Sequence, residues 1–121
     1  MTDMAIGDVA QRTGLSVHTL RYYERIGLLD PVPRDTGGRR AFGADDLAWL
    51  TLLTKLRRTG MPIAEMVRYA ELVRGGPATH PERLLLLQRH RDAVAARIAE
   101  LADCLEIVDY KINLYSGAAA S

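Results

Sequence analysis

The sequence predicts a mainly α chain in two parts: a head of short helices carrying a helix-turn-helix and a wing, then one long C-terminal helix patterned for a coiled coil. Three observations predict it. Apolar residues recur at helical spacing on two segments that meet at Gly14. A Gly/Arg-rich stretch from Pro33 to Phe42 has the turn chemistry of a hairpin. From Leu84 to Tyr115 the seam positions, apolar but for Arg91, step by three and four without a slip.

The first helix carries Ile6, Val9 and Ala10 on one side and stops at Gly14, a residue that takes a positive φ without steric cost. Ser16 is placed to cap a second helix, on which Val17, Leu20 and Tyr23 point inward and which ends near Gly27. Leu28 and Leu29 close the apolar cluster. Asp30-Pro31-Val32-Pro33 is extended, because each proline disfavours helix in the residue before it, and the hairpin turns at Asp35-Thr36-Gly37-Gly38.

A third helix from Asp45 to about Thr59 presents Leu47, Leu50, Leu53 and Leu56 inward, with Trp49 nearby, and Gly60 breaks it. Pro62 suits the first turn of a fourth helix that reaches Val73 or Arg74 before Gly75-Gly76-Pro77. Pro81 opens the fifth helix. Its seam is Leu84, Leu87, Arg91, Val94, Ile98, Leu101, Leu105, Val108, Ile112 and Tyr115, and Leu85 and Leu86 widen the stripe at the start. At about 1.5 Å per residue it is roughly 45–50 Å long, more than a small head can bury, so the seam has to meet another helix. The expected division is a head over 1–75 with its wing at about 33–42, a dimerisation helix over 81–115, and a flexible tail over 116–121.

Composition narrows the function. A chain of 121 residues has room for one small domain and one long element. With 48% hydrophobic but only 6% aromatic residues the core is aliphatic, and small aliphatic domains often gain stability by oligomerising, so a homodimer is expected. The net charge of +1 is too small for indiscriminate coating of nucleic acid or membrane. Its distribution matters more: Arg12, Arg21, Arg25, Arg34, Arg39 and Arg40 face only Glu24, Asp30 and Asp35 in the same stretch. The single cysteine excludes an intrachain disulfide and a multi-thiolate metal cage. With no leader pattern and no bilayer-length apolar run, a cytoplasmic protein without a membrane partner is expected.

Helix-turn-helix units lay the second helix in the major groove, where its outward residues meet bases while flanking donors grip phosphate. Here the outward residues are Val17, His18, Arg21, Tyr22 and Arg25. Two helices alone could equally be a bare αα-hairpin, an alternative that the adjoining wing weakens. Arg34, Arg39 and Arg40 on the ribbon can reach the minor groove or backbone, the alternative being a solvated hairpin edge, and Phe42 anchors the wing to the core. Lys55, Arg57 and Arg58 before Gly60 form a further phosphate clamp next to the start of the fourth helix; for Arg57 and Arg58 plain surface charge is the alternative.

The run His18-Thr19-Leu20-Arg21-Tyr22-Tyr23-Glu24-Arg25-Ile26-Gly27-Leu28-Leu29, followed by Pro33-Arg34, Gly38-Arg39-Arg40-Ala41-Phe42 and Asp46-Leu47, resembles the mercury-resistance-regulator (MerR) family. Thr59-Gly60-Met61-Pro62-Ile63, Arg68-Tyr69-Ala70-Glu71-Leu72 and Tyr110-Lys111-Ile112 extend the likeness to the small, effector-domain-free branch that includes aldehyde- and thiol-stress regulators. The resemblance implies a homodimer joined by an antiparallel coiled coil, each head binding half of a near-palindrome in double-stranded promoter DNA. It further implies that the protein bends and untwists this DNA so that RNA polymerase engages both promoter elements, with Arg21 and Tyr22 on backbone and base edges and Arg39 or Arg40 as the wing contact. The chain departs from the pattern at Phe42, which lacks the usual hydroxyl, and at Pro62, where a capping serine is common.

No metal or other cofactor is expected. Metal-sensing relatives place cysteines at the start of the long helix and in a loop after it, and this chain has neither; His80 and His90 alone lack a thiolate or carboxylate at ligand spacing. Cys104, beside the seam and between Asp103 and Glu106, is read as packing, with a thiol sensor as the alternative, since acidic neighbours blunt a thiol. Nothing marks a small-molecule effector pocket. No nucleophile–base or paired-carboxylate arrangement exists, so no enzyme is expected. Two other classes remain open at this point: an architectural, excisionase-type DNA-bending protein, against which the long helix argues, and a protein-interaction module whose coil pairs with a different partner.

Overall fold

The computed structural model describes residues 4–30 and 41–120. They form α1 (Ile6–Thr13), α2 (Val17–Arg25), α3 (Ala44–Arg58), α4 (Ile63–Arg74), a 3-10 turn (Pro77–Thr79) and α5 (His80–Ala120). Two units divide between Arg83 and Leu84.

In the head, each helix buries the stripe its spacing dictates. Val9 of α1, Leu20 and Tyr23 of α2, Leu50, Leu53 and Leu56 of α3, and Met66, Ala70 and Leu72 of α4 are all buried, with Leu28, Leu29, Phe42 and Met61 from the connections. Leu47, expected inward, is half-buried at the start of α3. Among the described residues every buried one is apolar or aromatic, so the core holds α1, α2, α3 and α4 together by area rather than by polar pairing.

The helix ends follow local chemistry. Gly14 takes φ +75 and its N–H donates to the Ala10 carbonyl, which closes α1 in a left-handed turn that a Cβ would disfavour. Asp46 Oδ2 accepts the Gly43 N–H at 2.9 Å and so closes the start of α3. Pro62 precedes α4 as its cap residue, without a side-chain bond, and its carbonyl accepts from Glu65 and Met66. Thr79 and Arg83 close the other end of α4: the Thr79 hydroxyl donates to the Leu72 carbonyl, and the Arg83 guanidinium donates to the Gly76 carbonyl at 2.7 Å.

Phe42 is fully buried, the anchor expected of it. It also forms an antiparallel bridge with Met4, whose N–H donates to the Phe42 carbonyl at 2.7 Å while the Phe42 N–H returns to Met4 at 2.8 Å. The expected ribbon, with Arg34, Arg39 and Arg40, lies outside the described residues apart from its end at Ala41 and Phe42.

The second unit belongs to α5. The helix begins one residue before Pro81 and runs through 116–120, the stretch expected to be a flexible tail. Ala118, Ala119 and Ala120 are the strongest helix formers available, which offsets Gly117. Along it Leu84, Ile98, Leu101, Leu105, Val108, Ile112 and Tyr115 are exposed at between 51% and 66%, and Leu87 and Val94 are half-buried. The chain by itself therefore leaves most of its seam in water. Among the described residues no helix is long and apolar enough to cross a membrane.

Candidate nucleic-acid interface

The turn that presents α2 is fixed by its own side chains. The Thr13 hydroxyl donates to the Val9 carbonyl at 2.8 Å and accepts the Leu15 N–H at 3.2 Å. Ser16 Oγ accepts the Thr19 N–H at 3.0 Å and donates to the Thr19 hydroxyl at 2.9 Å. The expected cap is therefore in place, and it sets where α2 begins. Ser16→Ala should lower stability by about 0.5–2 kcal/mol. Urea unfolding followed by Trp49, the single tryptophan, checks this, and an unshifted midpoint contradicts it.

With Leu20 and Tyr23 inward, His18, Arg21 and Arg25 come out on one face, all exposed, and Tyr22 sits half-buried between them. Val17 is half-buried at the edge of that face. The Arg25 guanidinium carbon lies 5.5 Å from the Tyr22 ring centroid, close enough for a cation–π contact that narrows the rotamers of both. The Tyr22 and Tyr23 rings are tilted at 47° with centroids 6.3 Å apart. This is a rigid aromatic base carrying exposed guanidinium groups, suited to planar contacts with phosphate or guanine.

Burial pushes the Tyr23 hydroxyl above the ordinary tyrosine range, and Arg57 pulls it partly back. The phenol thus stays neutral below the ordinary tyrosine pKa, where its folded-state preference is fully present. Arg57 also donates to the Met61 carbonyl at 3.3 Å, across the α3–α4 turn. Arg58 and Lys55 are exposed on another side of α3. All three residues of the clamp read from sequence are exposed, and among them Arg57 also bonds across the turn.

Two supports of this face had no local signal in the sequence. The Trp49 indole N–H donates to the Leu28 carbonyl at 2.7 Å, and its ring stacks on Tyr69 with centroids 5.8 Å apart. Arg74, on α4, donates to Asp30 at 2.7 Å and to the Gly27 carbonyl. Both tie the segment leaving α2 to later helices. Only their separation of more than twenty residues hid them.

On α5, Cys104 is exposed, and Arg91 lies 3.6 Å from its neighbour Asp92. An ion pair so open to solvent contributes little. Among the described residues no group of three or more His, Cys, Asp or Glu could hold a metal ion.

Residues 4–72 match the family described as MerR HTH family regulatory protein, and residues 47–106 match the one described as MerR, DNA binding. The chain belongs to the MerR family. It is a DNA-binding transcriptional regulator of that family. An HTH-type transcriptional regulator of Haemophilus influenzae is 41% identical over 111 residues, which is 92% of this chain and 82% of that one. Among solved structures, a MerR family regulator from Listeria monocytogenes is 37% identical with a TM-score of 0.88, covering 93% of this chain and 86% of its own. HiNmlR, a MerR family regulator lacking the sensor domain and bound to promoter DNA, is 39% identical with a TM-score of 0.85, over 98% of this chain and 94% of that chain. This MerR-family chain is therefore similar to the branch without a sensor domain, as its motifs implied.

Proposed function

We propose that this MerR-family regulator acts as a homodimer on a pseudo-palindromic promoter site. Its two heads bend and untwist the duplex and so control initiation by RNA polymerase. The observation that carries the reading is the exposed His18–Arg21–Arg25 face of α2, held by the Ser16 cap and backed by Tyr22. Val17, His18 and Arg21, near the start of α2, meet base edges, while Tyr22 and Arg25 position the helix on the backbone. Arg34, Arg39 and Arg40 serve the wing contact.

The dimer rests on the α5 seam. An antiparallel pair centred between Ile98 and Leu101 sets Leu84 against Tyr115, Leu87 against Ile112, and Val94 against Leu105 of the second chain, so every layer but that of Arg91 is apolar. A stripe this regular and this exposed needs a partner to leave water. Distorting a promoter costs about 1–6 kcal/mol, which two heads joined in one dimer can supply through added backbone contacts.

The test is a footprint on promoter DNA recovered by selection, together with a permutation assay for bending. Protection of an inverted repeat with a bend centred between its halves is expected. Protection of a single half-site, or of a straight duplex, contradicts the reading.

A further inference from the structure

Arg91 is the charged residue of the α5 seam, and every other seam position from Leu84 to Tyr115 is aliphatic or aromatic. Within its own helix the residues three and four away are Leu87, Gln88, Val94 and Ala95, so no acid stands where the helix could pair it. Its ion pair is with Asp92 at 3.6 Å, where the two side chains are 80% and 77% exposed. A guanidinium that enters an apolar seam with no better partner weakens the coil.

Asp109 is the complementary case. It is exposed, and among the described residues it makes no ion pair. Leu105, Glu106, Ile112 and Asn113 stand three and four residues from it, none of them a cation. Four residues after Leu105, it lies about 40° round the helix from that seam position and so borders the seam along one edge.

The seam consists of two rows, Leu84–Arg91–Ile98–Leu105–Ile112 and Leu87–Val94–Leu101–Val108–Tyr115. When a second copy runs antiparallel, like rows follow the same edge, and Arg91 shares its layer with Val108 of the second chain. The next residue of that chain is Asp109, on the edge where Arg91 emerges. Two-fold symmetry makes the contact twice. A parallel pair in register instead sets Arg91 on Arg91. An antiparallel slip of one heptad in either direction brings Ala102 or Ser116 of the second chain to the place of Asp109. One cation and one carboxylate thus discriminate both orientation and register.

We infer that Arg91 and Asp109 form a reciprocal interchain ion pair that selects, as the partner of α5, a second copy of this chain in the antiparallel register of Leu84 against Tyr115. This rests on the proposed homodimer and adds the charge code by which the coil recognises itself and rejects mismatched coils.

The test exchanges the two charges in the full chain. Exposed ion pairs are individually weak, but R91D or D109R alone turns two attractions into two repulsions, so the dimer dissociation constant measured by sedimentation should rise about 10-fold. The double variant R91D/D109R has the composition and net charge of the wild type, and its homodimer should recover. R91D/D92R restores the contact within one helix only, and should stay as weak as R91D. Mixed with ¹⁵N-labelled wild type and followed to equilibrium by native mass spectrometry, R91D/D109R should pair with itself. A 10-fold penalty on the mixed dimer leaves it at about one tenth of all dimers, against about one half for random pairing. A double variant that stays as weak as the single ones, or that mixes at random with wild type, overturns the ion pair and leaves the homodimer standing. Recovery in R91D/D92R overturns it in the same way. Wild-type chain that sediments as a monomer at micromolar concentration overturns the homodimer and the ion pair together.

Discussion

Arg21→Ala should abolish specific protection of the operator while leaving the dimer intact. Arg21 is exposed on α2 between two buried residues, Leu20 and Tyr23, so truncating it removes no core area. A surface change of this kind alters stability by less than about 0.5 kcal/mol. On DNA the loss is far larger. A well-placed arginine contact is worth about 1–3 kcal/mol per head, and a two-headed dimer loses it twice, about 2–6 kcal/mol. At 1.4 kcal/mol per factor of ten this is a fall of roughly 30-fold to 10⁴-fold in affinity for the selected site. Binding to unrelated duplex should fall much less, so specificity collapses with affinity. Electrophoretic titration on both duplexes gives the two numbers. An unchanged ratio removes Arg21 from base recognition and shifts the load to His18 or to the wing.

The same helix shows what the sequence made legible. Spacing alone placed Leu20 and Tyr23 inside and Arg21 and Arg25 outside, because a 3.6-residue period leaves little freedom once a cap fixes the start, and Ser16 fixes it. The long α5 helix was equally open to reading, since its apolar repeat continues over many turns. The joints between distant segments were hidden. Trp49 to Leu28, Arg74 to Asp30 and Met4 to Phe42 are pairings across 21 to 44 residues, and nothing in local periodicity encodes which partner a side chain or strand end finds. The role of Arg57 was hidden for a related reason. A run of Lys55, Arg57 and Arg58 looks uniform in sequence, yet successive residues on a helix point about 100° apart, so Arg57 reaches the Met61 carbonyl while Lys55 and Arg58 line a recess with Arg12 of α1. What each cation of such a run touches is therefore legible only in the fold.

Leu101→Glu should split the dimer and with it operator binding, without unfolding the head. In the single chain Leu101 is 59% exposed, so the head gains nothing from it. In a symmetric pair the position occurs twice, next to the centre, where each copy faces Ile98 of the second chain. Truncating a buried leucine costs about 2–5 kcal/mol. Two copies therefore cost about 4–10 kcal/mol even for alanine, and an unpaired carboxylate in an apolar layer costs more. A micromolar dimer is held by about 8 kcal/mol, so this loss leaves a monomer at any practical concentration. The separated α5 then lacks the packing that sustains most long helices, and far-ultraviolet dichroism should drop. The head should still unfold cooperatively by Trp49 fluorescence, because Trp49 stacks on Tyr69 and bonds to Leu28 within the first unit. Operator affinity should fall to that of a single half-site. Leu101→Met, which keeps the volume and the apolar surface, should dimerise and bind normally. Sedimentation at about 10 μM separates the outcomes. A Leu101→Glu chain that still sediments as a dimer places the interface elsewhere than on the Leu84–Tyr115 seam.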